Sequence, residues 1–256
     1  MKSKYLIYYV FLLLSIAFNG CSSTTNSNGL KNNGRGLFLV SGTNTPVNDV
    51  VTAAIVNSQI RLKGYVVIIG VKQTSKNEQL IKKTFYQNEI MAVHVLNFTT
   101  GQKLKKTDVI TIENAEIVVF PAMDKRYFKV FVNNSVLRNA IDNALKKGAL
   151  LTSFGESIAL TGDHYFTNGK IFQAMQLAPN VVLDQLSVYI KNKNVIETEA
   201  ARKHFTFIAT DKQSLLLFND KQGKSLNKSK ITIVRSETNI EEITNGNVLF
   251  SLGTEN

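Results

Sequence analysis

Residues 147–160 read Lys-Gly-Ala-Leu-Leu-Thr-Ser-Phe-Gly-Glu-Ser-Ile-Ala-Leu, and this stretch decides the fold. An apolar run leads directly into Ser153, Gly155 follows two residues later, and the next residues can start a helix. Strands that are buried on both faces are typically apolar at every position. The order of strand, sharp turn and helix is the geometry of a nucleophile elbow, in which a serine hydroxyl is lifted clear of a sheet. By itself, however, Ser-x-Gly is a weak motif.

Other apolar runs of the same kind indicate further strands. They cover residues 36–40, 65–69, 91–96, 115–120, 149–152, 181–183, 205–209 and 215–218, and the pair 230–234 with 248–252 is predicted to close the fold as an antiparallel pair. Helical periodicity is weak in 50–62 and 77–88 and strong after Asn134-Ser135, in a segment that ends at Gly148. Alternating strands and helices predict a doubly wound, mostly parallel sheet with its sites beyond the carboxyl ends of the strands.

Three stretches resemble motifs of the cyanophycinase and dipeptidase E family of serine peptidases. The family's elbow, Gly-Thr-Ser-Ala-Gly-Ala, corresponds to residues 151–156. Its strand ending in Gly-Gly-Asp-Gln corresponds to residues 118–125, and its Asp-Gln-His-Phe to residues 184–187. Order and spacing agree from about residue 35 to residue 220.

The resemblance implies an α/β fold, namely a three-layer αβα sandwich with a mostly parallel, flavodoxin-like (class I glutamine amidotransferase-like) sheet. It also implies that Ser153 occupies the nucleophile position, with Phe154 and Gly155 beside it and Asp124 in the preceding loop. These are the residues we expect at the site.

The departures from the family pattern concern the groups that would activate the serine. Leu186 stands where the family has its histidine, and Lys212 stands where the acid is expected, although Asp211 is adjacent. Leucine cannot accept a proton, and loss of a triad member typically costs several orders of magnitude in rate. The family's paired glycines are Ala122 and Met123, and Phe154 and Glu156 crowd the elbow. The sequence therefore predicts a catalytically impaired or inactive relative.

Two histidines are candidates to replace the missing base. His164 follows Asp163 shortly after the elbow, and His204 precedes an apolar run. Each is more often a structural or surface residue. His94, inside an apolar run, is expected to be packed in the core. Three histidines without partner spacing predict neither a metal site nor a cofactor.

The amino terminus predicts export. Lys2 and Lys4 precede an apolar stretch that is too short to span a bilayer comfortably, which is typical of a signal peptide over residues 1–20. The following Cys21, the only cysteine of the chain, ends a sequence that resembles a bacterial lipobox, and its acylation would anchor the protein to a membrane. Residues 22 and 23 are serines, which resembles the signal for transfer to the outer membrane. We expect a flexible tether over residues 21–34 and one domain over residues 35–256.

Charge and compartment limit the partners. The formal net charge is +11, and removal of residues 1–20 with their two lysines leaves +9. Such a charge is compatible with nucleic acid, but export argues against it, so anionic lipid or an acidic envelope polymer is the expected counterpart. Three functions remain open: binding of a peptide, envelope polymer or protein without catalysis; serine-type hydrolysis of β-aspartyl or similar peptides with rearranged partners; and a rigid structural spacer. The oligomeric state is open, and a homodimer is one option.

Overall fold

The computed structural model describes residue 30 and residues 36–58, 64–99, 101–244, 246 and 248–252. The predicted signal peptide, Cys21 and all of the predicted tether except Leu30 lie outside the described residues. In the part of the chain that the structure describes, no helix combines the length and the apolar character that crossing a membrane requires.

The described elements alternate between strand and helix over the first half of the chain. The strands are β1 (Leu37–Ser41), β2 (Val66–Val71), β3 (Val93–Phe98), β4 (Ile117–Phe120), β5 (Leu150–Phe154), β6 (His164–Thr167), β7 (Lys170–Gln173), β8 (Val181–Gln185), β9 (Thr206–Thr210), β10 (Leu215–Phe218), β11 (Gln222–Ser225), β12 (Ile231–Ser236), β13 (Asn239–Ile243) and β14 (Leu249–Ser251). The α-helices are α1 (Val47–Asn57), α2 (Ser75–Gln87), α3 (Lys106–Glu113), α4 (Lys129–Val132), α5 (Ser135–Lys146), α6 (Ile158–Thr161), α7 (Leu186–Lys191) and α8 (Lys193–Lys203). Short 3-10 helices cover Lys72–Thr74, Lys125–Tyr127 and Gly155–Ser157.

The central sheet has eight strands in the order β14-β11-β10-β1-β5-β4-β2-β3. The five strands from β1 to β3 in this order are parallel, and β10, β11 and β14 extend the sheet in antiparallel fashion. Its strands β2, β4 and β5 are buried at every position, as their continuous apolar sequences predict. The predicted fold class, an α/β sandwich around a mostly parallel sheet, is confirmed.

Helices cover both faces of this sheet, and each face has its own apolar core. One core packs α3 and α5 against the sheet, and in α5 it buries Leu137, Ala140, Ile141, Ala144 and Leu145. The strong helical prediction after Asn134 is confirmed by α5. The Asn134 side chain caps this helix by accepting a hydrogen bond from the Leu137 N–H at 3.0 Å.

The other core packs α1 and α2 against the opposite face of the sheet. It buries Val50 and Ala54 of α1 together with Ile81 and Phe85 of α2. Leu30, which is only 7% exposed, belongs to this core. At this one residue the chain differs from the flexible tether predicted for residues 21–34, because an apolar side chain within the polar stretch is buried against the domain.

The closing strands pair differently from the prediction. A second sheet has the order β13-β12-β9-β8, in which β12 pairs with β9 and β13, whereas β14 adds to the edge of the central sheet beside β11. The predicted antiparallel pair of residues 230–234 with 248–252 is therefore wrong. Both segments are strands, but each hydrogen-bonds to a different sheet, and local sequence does not specify the partner of a strand.

His94 is exposed, so the prediction that it is packed in the core is wrong. It lies in β3, which is the edge strand of the central sheet, and its ring meets the Tyr65 ring edge-on at 5.3 Å between centroids. An edge strand has one neighbour instead of two, and the side chains of its middle residues are only partly covered.

Candidate active site and adjoining cavity

Ser153 is a core residue of β5 and is not lifted out of the sheet. The strand lies between β1 and β4, with Ser153 opposite Val40 on one side and Phe120 on the other. The residue is completely buried, and its Oγ lies 2.9 Å from the Oγ1 of Thr161, which is also completely buried. A hydroxyl that is enclosed in this way is not accessible to a substrate.

The sharp turn between β5 and α6 comes two residues later, at Gly155. This glycine has φ +57°, a left-handed conformation that side chains disfavour. A Cβ at this position would lie 3.2 Å from the Ala122 Cβ and 3.7 Å from the Thr43 Cγ2, between the loops that follow β4 and β1. The residue at the apex of the turn, where a nucleophile elbow needs its serine, is thus a glycine.

Ser157 ties this turn to the loop after β4. Its buried Oγ donates to the Pro121 carbonyl at 2.6 Å and accepts a hydrogen bond from the Met123 N–H at 3.1 Å. By the family resemblance, Met123 replaces one of the glycines beside the reacting carbonyl, but its N–H is already satisfied inside the protein. Sequence reasoning missed Ser157, because a serine at the start of a helix is usually a capping residue.

Beside the turn lies a cavity of about 410 Å³. The cavity collects residues from the loop after β4, the β5 turn, the β6–β7 hairpin and the end of β8. Its lining is Asp124, Lys125, Glu156, Phe166, Thr167, Asn168, Gly169, Asp184, Gln185, Ser187, Val188, Lys191 and Asn192. It therefore contains one predicted site residue, Asp124, together with Asp184, Gln185 and Ser187 of the Asp-Gln-Leu-Ser stretch, whereas Ser153, Phe154 and Gly155 do not line it.

An ion pair between Lys125 and Asp184 forms the inner wall of the cavity. The Lys125 Nζ lies 2.5 Å from an Asp184 carboxylate oxygen and donates to the Phe166 carbonyl at 2.7 Å. The Asp184 side chain is completely buried, and its second oxygen accepts a hydrogen bond from the Gln185 N–H. Burial raises the pKa of the Asp184 carboxyl above its usual range, and the ammonium group of Lys125 opposes this rise.

Asp124 and Glu156 are exposed residues at the rim of the cavity. Asp124 begins a short helical turn: one carboxylate oxygen accepts from the Arg126 N–H at 2.9 Å, and the other lies 3.2 Å from the Arg126 Nε. The side-chain amide of Gln185 donates to the Gly155 carbonyl at 3.3 Å and so connects the end of β8 to the β5 turn.

The residues expected to activate a serine are used elsewhere in the fold. Leu186 begins α7 and packs against the apolar cluster of the second sheet. Asp211 shapes the turn between β9 and β10, where its carboxylate accepts hydrogen bonds from the backbone of Gln213 and Lys230 and from the Ser214 hydroxyl. These three hydrogen bonds hold the Asp211 carboxylate within the turn.

Neither candidate replacement base reaches the turn. His164 opens β6, and its ring lies 6.2 Å from the ring of Phe205, which precedes β9. Burial is the main cause that lowers the pKa of His164, and the charge of Lys203 adds to it. His204 is exposed and ends α8 in a left-handed conformation. The neighbours of both histidines lie at the amino ends of β8 and β9, whereas the cavity lies at the carboxyl end of β8.

No other feature of the described residues brings the predicted catalytic residues together. A larger cavity of about 590 Å³ follows the carboxyl end of β3, between the loop at Gln102 and the start of α5, and it contains none of the predicted catalytic residues. Over the described ranges, no cluster of three or more His, Cys, Asp or Glu side chains has a geometry that could hold a metal ion.

Comparison with known proteins gives structural but no sequence matches. No family model matches the chain, and no curated protein sequence matches it significantly. Among solved structures, a peptidase from an acI-B1 Actinobacterium is similar with a TM-score of 0.62 and 12% identity, covering 85% of this chain and 98% of that one. A structure from Listeria monocytogenes titled as a Peptidase E protein has a TM-score of 0.48 and 10% identity, covering 82% of this chain and 98% of its own. At such identities, the first similarity shows that this chain shares its fold with a peptidase.

Proposed function

We propose that this protein is a membrane-anchored lipoprotein that does not hydrolyse peptides and acts by binding a peptide, an envelope polymer or a protein partner. The observation that carries this proposal is that Gly155, and not Ser153, occupies the apex of the turn. The turn that would present a nucleophile has glycine at its apex, and the nearby serine hydroxyl is buried against Thr161.

Two groups that acyl transfer requires are missing or occupied at this turn. An attacking hydroxyl needs a base within hydrogen-bond reach, and the developing oxyanion needs free N–H donors. Leu186 provides no base, and the Met123 N–H donates to Ser157. The alternative of an active serine hydrolase therefore loses its support, because its nucleophile would have to be Ser153.

The cavity favours a polar ligand of limited size. Its volume of about 410 Å³ lies in the range of small-ligand pockets. Carboxylates at the rim, the Lys191 ammonium and the amides of Asn168 and Asn192 present both donors and acceptors. Such a lining suits a short segment of a peptide or envelope polymer, whose own groups alternate between donor and acceptor.

The absence of hydrolysis is tested with a fluorophosphonate probe, which labels activated serines. We expect no labelling of the purified wild-type chain, and we expect the folded Ser153→Ala variant to behave identically. A known serine peptidase in the same reaction serves as the positive control. Labelling of the wild type that disappears in Ser153→Ala, or hydrolysis of a β-aspartyl dipeptide with the same dependence, would refute the proposal.

Binding in the cavity is tested by calorimetric titration with a β-aspartyl-arginine dipeptide and with a soluble peptidoglycan fragment. We expect one of these probes to bind, and we expect Glu156→Gln at the cavity rim to weaken binding. The matched control is Glu237→Gln, which removes the same charge at an exposed position outside the cavity. An equal effect of the two substitutions would place the binding elsewhere on the protein.

The lipid anchor is tested by following the attachment of labelled fatty acid in a bacterial host. We expect incorporation into the wild-type chain, fractionation with the outer membrane, and complete loss of the label in Cys21→Ala. Incorporation that persists in Cys21→Ala would contradict acylation at this cysteine.

A further inference from the structure

The chain enters the domain at one definite end. The parallel strands begin there, since β1 is the first element, and α1 and α2 end there because each runs back against the direction of its strand. Leu30, which precedes β1, is buried in the core beneath α1 and α2. The anchored end of the chain therefore lies on the α1–α2 side of the domain.

The distance from the anchor to this side is short. Cys21 precedes Leu30 by nine residues, and nine residues reach at most about 30 Å in any conformation. A domain of this size is roughly 40 Å across. A lipid on Cys21 therefore holds the α1–α2 side nearest to the membrane.

The exposed surface of this side is basic and carries large apolar side chains. We call it the lysine face and define it by Lys76, Lys82 and Lys83 of α2 with the exposed side chains of Val56, Leu80, Tyr86 and Met91. Met91 is 69% exposed and Leu80 is 50% exposed. Lys82 lies over the Tyr86 ring at 5.5 Å from its centroid. Glu78 of the same helix is buried, and the exposed acidic groups on this side include Glu89 after α2 and Asp49 in the first turn of α1.

We propose that the lysine face lies against the anionic lipid surface to which Cys21 anchors the chain. Lysines attract anionic headgroups over about one Debye length, and apolar side chains beside them enter the headgroup boundary. The orientation rests on the proposed lipid anchor, but the attraction of the face for anionic lipid does not.

The orientation is tested by quenching from labelled lipids. Full-length lipidated protein is reconstituted in vesicles of phosphatidylcholine with phosphatidylglycerol, and a fluorophore is attached to a single added cysteine. We expect lipid-borne quenchers to quench the label in Leu80→Cys and in Met91→Cys. The matched control is Ile110→Cys on α3, where the native side chain is 48% exposed on the other face of the sheet, and its label should remain unquenched. Equal quenching at positions 80 and 110 would overturn the orientation.

The role of charge is tested by reversal on the same vesicles. Lys82→Glu combined with Lys83→Glu should abolish the quenching at position 80. The control pair, Lys105→Glu with Lys106→Glu, makes the same change in net charge at exposed positions at the start of α3, and should leave the quenching intact. Quenching that is insensitive to both pairs, or equally sensitive to both, would overturn the lysine face.

Flotation of the vesicles separates a failure of the anchor from a failure of the face. A chain that floats only with phosphatidylglycerol present, and no longer floats as Lys82→Glu with Lys83→Glu, would refute the anchor and support the face. A chain that floats with pure phosphatidylcholine as well, but shows equal quenching at both positions, would support the anchor and overturn the face. A chain that floats with neither composition would overturn both.

Discussion

The carboxyl ends of β5 and β8 both keep polar residues in the order of the family motifs, but the two ends bury them at different cost. At β5, the neutral Ser153 hydroxyl is satisfied by one hydrogen bond to Thr161. At β8, the charged Asp184 is satisfied by the Lys125 ammonium and the Gln185 backbone. A residue that matches a catalytic motif can therefore have a structural role in the core. The loss of folding free energy on its removal depends on whether the residue is charged.

The largest loss of stability is expected at β8. Replacing Asp184 by alanine leaves the Lys125 ammonium, whose side chain is 11% exposed, with the Phe166 carbonyl as its remaining hydrogen-bond partner. Breaking a buried ion pair typically costs about 3–5 kcal/mol. We expect Asp184→Ala to lower the free energy of unfolding by this amount, measured by urea denaturation.

The control removes both charges together. Lys125→Met with Asp184→Leu leaves no unpaired charge and should cost much less than Asp184→Ala. If the double variant is as unstable as the single one, the cost of Asp184→Ala does not come from an unpaired Lys125 charge.

Removal of the Ser157 hydroxyl should have an intermediate effect on stability. Ser157→Ala leaves the Pro121 carbonyl and the Met123 N–H without their partner, which should cost about 1–3 kcal/mol by urea denaturation. Ser187→Ala, at an exposed position in the cavity lining, is the matched control and should change stability by no more than about 0.5 kcal/mol. Equal effects would show that the Ser157 contacts do not stabilise the loop.

At β5 the expected loss is smaller. Ser153→Ala removes one neutral hydrogen bond and should cost about 1 kcal/mol. Thr161→Val removes the same bond from the other side, so a double-mutant cycle on the free energy of unfolding should show coupling between the two residues. Additive losses would contradict the bond between their hydroxyls.

The smallest expected effect concerns His164, which lies at neither of these strand ends. It should make the free energy of unfolding depend on pH. The pKa of His164 is lowered by burial, so in acid the unfolded chain binds a proton that the folded protein does not, and stability falls as the pH drops below about 6.5. His164→Gln should flatten this fall in urea midpoints measured between about pH 5 and pH 7. Lys203, Asp163 and Glu199 surround the ring, and an unchanged slope in the variant would assign the pH dependence to other groups.

Much of the fold could be predicted because its signals are local. The apolar runs of β2, β4 and β5 and the periodicity of α5 are written in consecutive residues, and all of these elements are present. The partners of β12 and β14 could not be predicted, because pairing depends on residues far away in sequence. The exposure of His94 was missed for the same reason, because the position of β3 at the edge of the sheet depends on the pairing of all the other strands.

The site was less predictable, because a shift of two residues decides its chemistry. Ser153 matches the serine of the elbow motif in sequence, but the left-handed turn falls at Gly155. Residues two apart in a strand point to the same face, so alternation alone does not reveal where the strand ends. The roles of Ser157 and Thr161 depend on contacts with other elements and carried no signal of their own.

The central position of β1 determines when the sheet can be completed. This first strand pairs with β5, more than 100 residues later, and with β10, which ends at residue 218. Contacts so distant along the chain form slowly, because long loops must close before the contacts stabilise them. A chain threaded amino end first through a narrow channel would thus stay without its central strand pairs until most of its length had passed, which is the unfolded condition that such passage requires.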